Sequence, residues 1–150
     1  MFKHILFVCT GNICRSPTAE AVLREELRDL EMLDDRMIES LGTSAMVGEP
    51  AHPLTFEVAL ERGIDLSGHH ARQATGLLLT QADLILALDR GHMAWITSRM
   101  PQLRGRTHLL GRWNNNAEVP DPYGLPRKKS VEAFEQIEEY MAEWLPRIVR

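Results

Sequence analysis

The chain has 150 residues, 44% of them hydrophobic and 25% charged, with a formal net charge of −4; such proportions suit one soluble domain with a real core. The negative balance argues against non-specific binding to nucleic acid or an anionic membrane, so any affinity for anions has to come from positive charge concentrated at one place. No apolar run approaches a membrane span, and the two cysteines, Cys9 and Cys14, stand five apart in one tight loop, a poor structural staple that fits a reducing cytoplasm better.

Met1-Phe2-Lys3-His4 leads into only a short apolar run, so no signal peptide is expected. Residues 4–8 read as a buried strand, apolar on both faces. Pro17 to about Met32 reads as a helix: proline suits a first helical position, and Ala19, Val22, Leu23, Leu27 and Leu30 recur at helical spacing. Residues 36–41 predict a second strand closed by Gly42, and residues 42–53, with Gly, Ser, Pro and Thr, a surface loop. Leu54 to Glu61 predicts a helix stopped by Gly63. Ala82 to Leu88 is a strongly apolar third strand, His92 to Arg99 a helix ended by Pro101, and residues 106–110 a short fourth strand. An irregular stretch follows over 111–129. Ser130 then caps a last amphipathic helix whose stripe is Val131, Phe134, Ile137, Tyr140, Met141, Trp144 and Leu145. Strands alternating with helices imply right-handed crossovers, hence a single three-layer α/β domain over 1–150 with a four-stranded parallel sheet covered by helices on both faces. There is no repeat and no internal boundary.

The chemistry concentrates where the first strand ends. Five residues separate Cys9 from Arg15, with Gly11 and Asn12 between them. A strand, tight loop and helix start direct several backbone N–H groups at one spot, a cradle for phosphate. Cys9 would sit at its floor, where the helix end and Arg15 both favour the thiolate. A buried structural cysteine is the bland alternative, and the turn and arginine that follow argue against it. Arg15 carries a fork of donors matched to two phosphoryl oxygens. Asn12 suits a left-handed or otherwise strained loop position, and Gly11 tolerates a close backbone approach. Ser16 fits either a helix cap or a hydrogen bond to the Cys9 thiolate.

A thiolate attacking phosphorus needs an acid for the leaving group. Asp121-Pro122-Tyr123-Gly124, stiffened by Pro120 and Pro122, offers one. Alone, this tetrapeptide reads as an ordinary β-turn; beside the Cys9 loop, the acid becomes the better reading.

Val8-Cys9-Thr10-Gly11-Asn12-Ile13-Cys14-Arg15-Ser16-Pro17-Thr18-Ala19-Glu20 and the late Asp121-Pro122-Tyr123 resemble the low-molecular-weight protein tyrosine phosphatases. Glu39-Ser40 and the run from Gly63 to Gln73 look like further segments of that family, so the likeness spans essentially the whole chain. The resemblance implies the phosphotyrosine protein phosphatase I-like fold. It also implies a reaction in two steps: Cys9 attacks phosphorus to form a phosphocysteine, Arg15 and the backbone N–H groups of residues 10–15 hold the equatorial oxygens, and Asp121 protonates the leaving phenolate. Water then releases inorganic phosphate with Asp121 as base. Thr10, Gly11, Asn12, Ile13, Cys14 and Ser16 would form the phosphate site, supported by a network of Asn12, Ser40 and His69. Cys14 would guard Cys9 by pairing with it under oxidation. No cofactor or metal is implied: the six histidines are scattered, and His69-His70 has no further ligand at suitable spacing.

Three functions share this scaffold. Arsenate reductases relay electrons through later cysteines, and none follows Cys14. Protein-arginine phosphatases usually carry threonine where this chain has Ile13, which favours phosphotyrosine. The third is the tyrosine phosphatase itself, with hydrolysis of small aryl phosphates as a further alternative within enzymes; outside enzymes, a phosphate-sensing module would need neither Cys9 nor Asp121. Met46 stands where the family often has an aromatic wall, and Tyr123 is followed by Gly124 rather than a second tyrosine. These departures, with Gly111-Arg112-Trp113 and Glu118-Val119-Pro120, resemble the bacterial subgroup linked to capsule and exopolysaccharide production. That subgroup acts on tyrosine-rich tails of membrane-bound tyrosine autokinases. The expected substrate is therefore a phosphotyrosine protein, met in the cytoplasm without membrane insertion or nucleic acid, its ring contacted by Met46 and Tyr123.

Overall fold

Four parallel strands in the order β2-β1-β3-β4 form the centre of the computed structural model, which describes residues 2–150. They are β1 (His4–Cys9), β2 (Met37–Gly42), β3 (Leu84–Ala87) and β4 (Thr107–Leu109). The alternation of β1 divides the core. Ile5, Phe7 and Cys9 face one layer with Ile38, Leu84, Leu86 and residues of α1 (Arg15–Asp29) and α5 (Arg127–Val149). Leu6 and Val8 face the other with Ile85, Leu79 of α3 (Gly76–Thr80) and Ile96 of α4 (Arg90–Arg99). Both faces of β1 are therefore apolar because both are covered. The expected three-layer architecture is the observed one, with α2 (Pro53–Glu61) packed beside α5.

Several boundaries move for identifiable reasons. Helix α1 begins at Arg15 rather than Pro17, so Pro17 stands third, still among the N-terminal positions whose N–H needs no helical partner. Helix α4 begins at Arg90 rather than His92, because Asp89 caps it: its carboxylate accepts His92 N–H at 3.1 Å. Ser130 is not a cap. It is buried inside α5, which starts one turn earlier after Pro126, where Arg127 pairs with Glu57 and Glu61 of α2. The helix also runs past Leu145, through Pro146, to Val149. Helix α3 and a 3-10 stretch, Pro101–Arg106, were not expected, both being too short for a periodic signal. Along α5 the expected stripe buries Phe134, Ile137, Tyr140, Met141 and Trp144, while Val131 and Leu145 are partly covered. Among the described residues, no helix is long and apolar enough to cross a membrane.

The carboxyl ends of β1, β2 and β3 lie on one side of the sheet, and Gly42 lets the end of β2 lie close against the loop after β1. A Cβ at Gly42 would lie 2.4 Å from the Thr10 carbonyl oxygen and 3.0 Å from Asn12 Cβ. The Gly42→Ala variant therefore has to displace the loop after β1, a backbone contact that cannot rotate away. We expect it to cost about 1–3 kcal/mol, lowering the unfolding midpoint by about 5 °C; thermal denaturation followed by circular dichroism measures it, and an unchanged midpoint contradicts the clash.

Candidate active site

The loop from Cys9 to Cys14 is held from outside by its carbonyls. Thr43 N–H donates to Cys9 O, Ser44 N–H to Thr10 O, Met46 N–H to Gly11 O, His52 N–H to Ile13 O and Thr18 N–H to Cys14 O, at 2.8 to 3.4 Å. His69 Nε2 donates to the remaining one, Asn12 O, at 2.5 Å. Among the described residues, no protein acceptor takes the N–H groups of Thr10, Gly11, Asn12, Ile13 or Cys14. A loop with every carbonyl engaged by the scaffold and its amides unengaged is built to bind an anion, since buried amides otherwise cost free energy.

Asn12 makes this conformation possible. Its φ of 58° is the left-handed value expected from the sequence. Its side chain is fully buried: Oδ1 accepts Arg72 N–H at 2.8 Å, and Nδ2 donates to Ser16 Oγ at 2.8 Å and Ser40 Oγ at 3.0 Å. Ser40 Oγ in turn donates to Glu20 at 2.7 Å. Gly11 lines the cavity described below with its amide unengaged. Its φ is not positive, and a Cβ there would make only ordinary contacts, 3.6 Å to Ile13 and 3.7 Å to Met46. The tight backbone contact within the protein falls on Gly42.

Cys9 is 2% exposed and its Sγ lies 2.8 Å from Ser16 Oγ. Ser16 Oγ accepts from Asn12 Nδ2 and has Leu41 O at 3.4 Å as another acceptor, and its contact with the sulfur, in which either atom can donate to the other, matches the second of the two roles open to Ser16. Helix α1 has no side-chain cap. Burial pushes the Cys14 thiol up to about 11, so at neutral pH it does not compete as a nucleophile.

Arg15 is 3% exposed and fixed on one side only. Nη1 donates to Asp89 Oδ2 and to Val119 O, each at 2.9 Å. Nη2 has looser neighbours, Thr10 Oγ1 at 3.5 Å and Asp121 Oδ2 at 3.7 Å, and the buried Nε has no partner. The guanidinium is thus anchored by one nitrogen, leaving two donors for a pair of anion oxygens. Asp121 bears out the turn reading of its tetrapeptide and also borders the cavity. Oδ1 accepts Tyr123 N–H at 3.1 Å, closing the turn, while Oδ2 is the oxygen near Arg15.

These groups border one cavity of about 190 Å³, lined by Cys9, Thr10, Gly11, Ile13, Cys14, Arg15, Ser44, Met46, Asp121 and Tyr123. Met46 and Tyr123 are half-exposed at its mouth, with Tyr123 set edge-on to His52 at 5.5 Å. The side chains of Asn12, Ser16, Ser40 and His69 do not line this cavity; they join the network that supports the loop. Reasoning from the sequence missed Ser44, Asp89, His92 and Val119. Asp89 was findable, as an acid directly after an apolar strand and before a helix; the others act through geometry that no local pattern encodes. Among the described residues, no group of three or more His, Cys, Asp or Glu side chains converges on a metal position.

The family model for low molecular weight phosphotyrosine protein phosphatase matches residues 4–150. The low molecular weight protein-tyrosine-phosphatase Wzb of Escherichia coli K12 is 39% identical over 144 residues, 96% of this chain and 94% of its own. The structure of Vibrio vulnificus Wzb in complex with benzylphosphonate superposes with a TM-score of 0.89 at 38% identity, covering 98% of this chain and 99% of the other. A more distant likeness is the YwlE arginine phosphatase, in a mutant with a phosphorylated active-site serine: 28% identity and a TM-score of 0.89, over 98% of this chain and 96% of the other.

Proposed function

The chain belongs to the low molecular weight phosphotyrosine protein phosphatase family, and we propose from that premise that it hydrolyses phosphotyrosine in proteins through a phosphocysteine at Cys9. The observation that supports this most is the loop whose carbonyls from Cys9 to Cys14 are all engaged while its amides are not, with Cys9 at its floor and Arg15 anchored beside it. In the first step Cys9 Sγ forms a bond to phosphorus as the bond to the phenolic oxygen breaks. The loop amides and Arg15 Nε and Nη2 receive the equatorial oxygens, where charge spreads in the transition state. Asp121 delivers its proton to the departing phenolate. In the second step water attacks phosphorus, Asp121 takes a proton from it, and the S–P bond breaks. Ser16 Oγ–H stabilises the leaving thiolate, and inorganic phosphate is released. Asn12, Ser40 and His69 act by holding the loop.

The half-exposed Met46 and Tyr123 suit a flat aromatic ring entering between them. The partner we propose is a phosphotyrosine-bearing tail of a membrane-bound tyrosine autokinase, met in the cytoplasm, with capsule or exopolysaccharide production as the regulated process. Cys14 lines the same cavity as Cys9. Peroxide that converts Cys9 to a sulfenic acid would be followed by its condensation with Cys14, slowly because burial holds that thiol up at about 11, giving a disulfide and water and sparing Cys9 further oxidation.

Initial rates on matched phosphotyrosine, phosphoserine and phosphoarginine peptides test the substrate class. We expect kcat/KM to favour phosphotyrosine by about 100-fold, the scale on which an apolar pocket discriminates. A preference for phosphoarginine would move the chain to the second reading, which the YwlE likeness keeps in view and Ile13 disfavours.

A further inference from the structure

One buried histidine connects two of the groups that shape the phosphate site. His92, in the first turn of α4, is 4% exposed. Its Nδ1 accepts Asp89 N–H at 3.2 Å, and its Nε2 lies 2.9 Å from Thr10 Oγ1. Asp89 Oδ1 is also 3.2 Å from Nδ1 and accepts His92 N–H at 3.1 Å, while the Asp89 N–H points at Nδ1 itself. A backbone N–H can only donate, so Nδ1 is the bare nitrogen and the ring proton sits on Nε2. The imidazole therefore donates to Thr10 Oγ1. Burial acts in the same direction, pushing His92 down to about 4 and keeping the ring neutral.

A hydroxyl has two lone pairs and one proton. At Thr10 the lone pairs meet His92 Nε2–H and, more loosely, Arg15 Nη2 at 3.5 Å. The proton is left to donate elsewhere, and Thr10 borders the cavity with Cys9, Arg15 and Asp121. We infer that His92 is a positioning residue: by donating to Thr10 Oγ1 it turns the Thr10 hydroxyl proton toward the phosphoryl oxygens and adds a side-chain donor to the ring of amides. The same imidazole accepts the N–H of Asp89, whose Oδ2 anchors Arg15 Nη1. Thr10 and Arg15 are thereby placed relative to one ring. The effect on turnover rests on the phosphatase reading; the effect on anion binding does not.

The test compares His92→Asn and His92→Gln, each with Thr10 and with Thr10→Val, by calorimetric binding of inorganic phosphate and by kcat/KM on a phosphotyrosine peptide. Asparagine keeps an acceptor near Nδ1 but has no donor that reaches Thr10, whereas the glutamine amide reaches the Nε2 position. We expect His92→Asn to weaken phosphate binding about tenfold, the scale of one hydrogen bond to a charged group, with kcat/KM falling in parallel. His92→Gln should recover most of both. Thr10→Val alone should give the same loss, and adding His92→Asn to it should cost less than about twofold more, since contacts acting through one partner are not additive. Equal losses in both backgrounds would reduce His92 to a helix cap and overturn the inference. Should His92→Asn fail to fold by circular dichroism, Thr10→Val decides: unchanged phosphate affinity overturns the inference as well. If the wild-type protein shows the binding pattern without hydrolysing phosphotyrosine, the phosphatase reading fails while the positioning role stands.

Discussion

Cys9→Ser is expected to lower turnover of aryl phosphates by at least about 10⁴-fold, the scale on which enzymes lose activity with their nucleophile, while phosphate still binds. Serine fits the space of a side chain that is 2% exposed, and the residues that hold the loop are untouched. The outward carbonyl bonds and the Arg15–Asp89 pair at 2.9 Å do not involve the sulfur. Only the attacking atom changes, from a thiolate to a hydroxyl with no base placed to ionise it. Cys14 does not substitute for it, because burial pushes its thiol up to about 11. Steady-state rates and phosphate calorimetry on the same preparation separate the two roles. Turnover within tenfold of wild type would remove Cys9 as nucleophile, and lost phosphate binding with an intact fold would show that the sulfur shapes the cradle.

What the sequence revealed divides according to whether the physics is local. β1 and the loop after it were legible because an apolar run, an Asn12 suited to a strained position and an arginine close behind carry their conformations in a few residues, although α1 starts two residues before the expected Pro17. The parallel sheet followed from alternation alone. Ser130 misled, because a serine before an amphipathic stripe reads as a cap, whereas the helix start depends on Arg127 reaching Glu57 and Glu61 on another helix. Gly42 reads in the sequence only as the end of a strand, for a related reason. Its neighbour Thr10 becomes a clash only once β1 and β2 are paired in register. Asp89 and His92 belong to the same class. Each touches the loop across more than seventy residues of chain, so their contribution arises only when β3 is laid beside β1.

Asp121→Asn tests the acid, and its effect should depend on the leaving group. The substitution preserves the turn, because an asparagine Oδ1 accepts Tyr123 N–H as Asp121 Oδ1 does at 3.1 Å. The oxygen lost is Oδ2, 3.7 Å from Arg15 Nη2 and the one available to a departing phenolate. A poor leaving group such as the tyrosine phenolate needs the proton as its bond to phosphorus breaks, so kcat/KM on phosphotyrosine peptide should fall by about 10²–10⁴-fold. An activated nitrophenolate leaves without help, and its kcat/KM should fall by much less. The comparison has to use kcat/KM, which reports steps up to the first irreversible one. Asp121 also serves as base when water attacks the phosphocysteine, so kcat on the activated substrate falls for a separate reason. In that variant the first step stays fast while the second slows, and rapid mixing should show a burst of nitrophenolate approaching one equivalent per site. Equal losses of kcat/KM on both substrates would assign Asp121 to binding rather than proton transfer. An absent burst with unequal losses would assign it to the first step alone and require another base for the second.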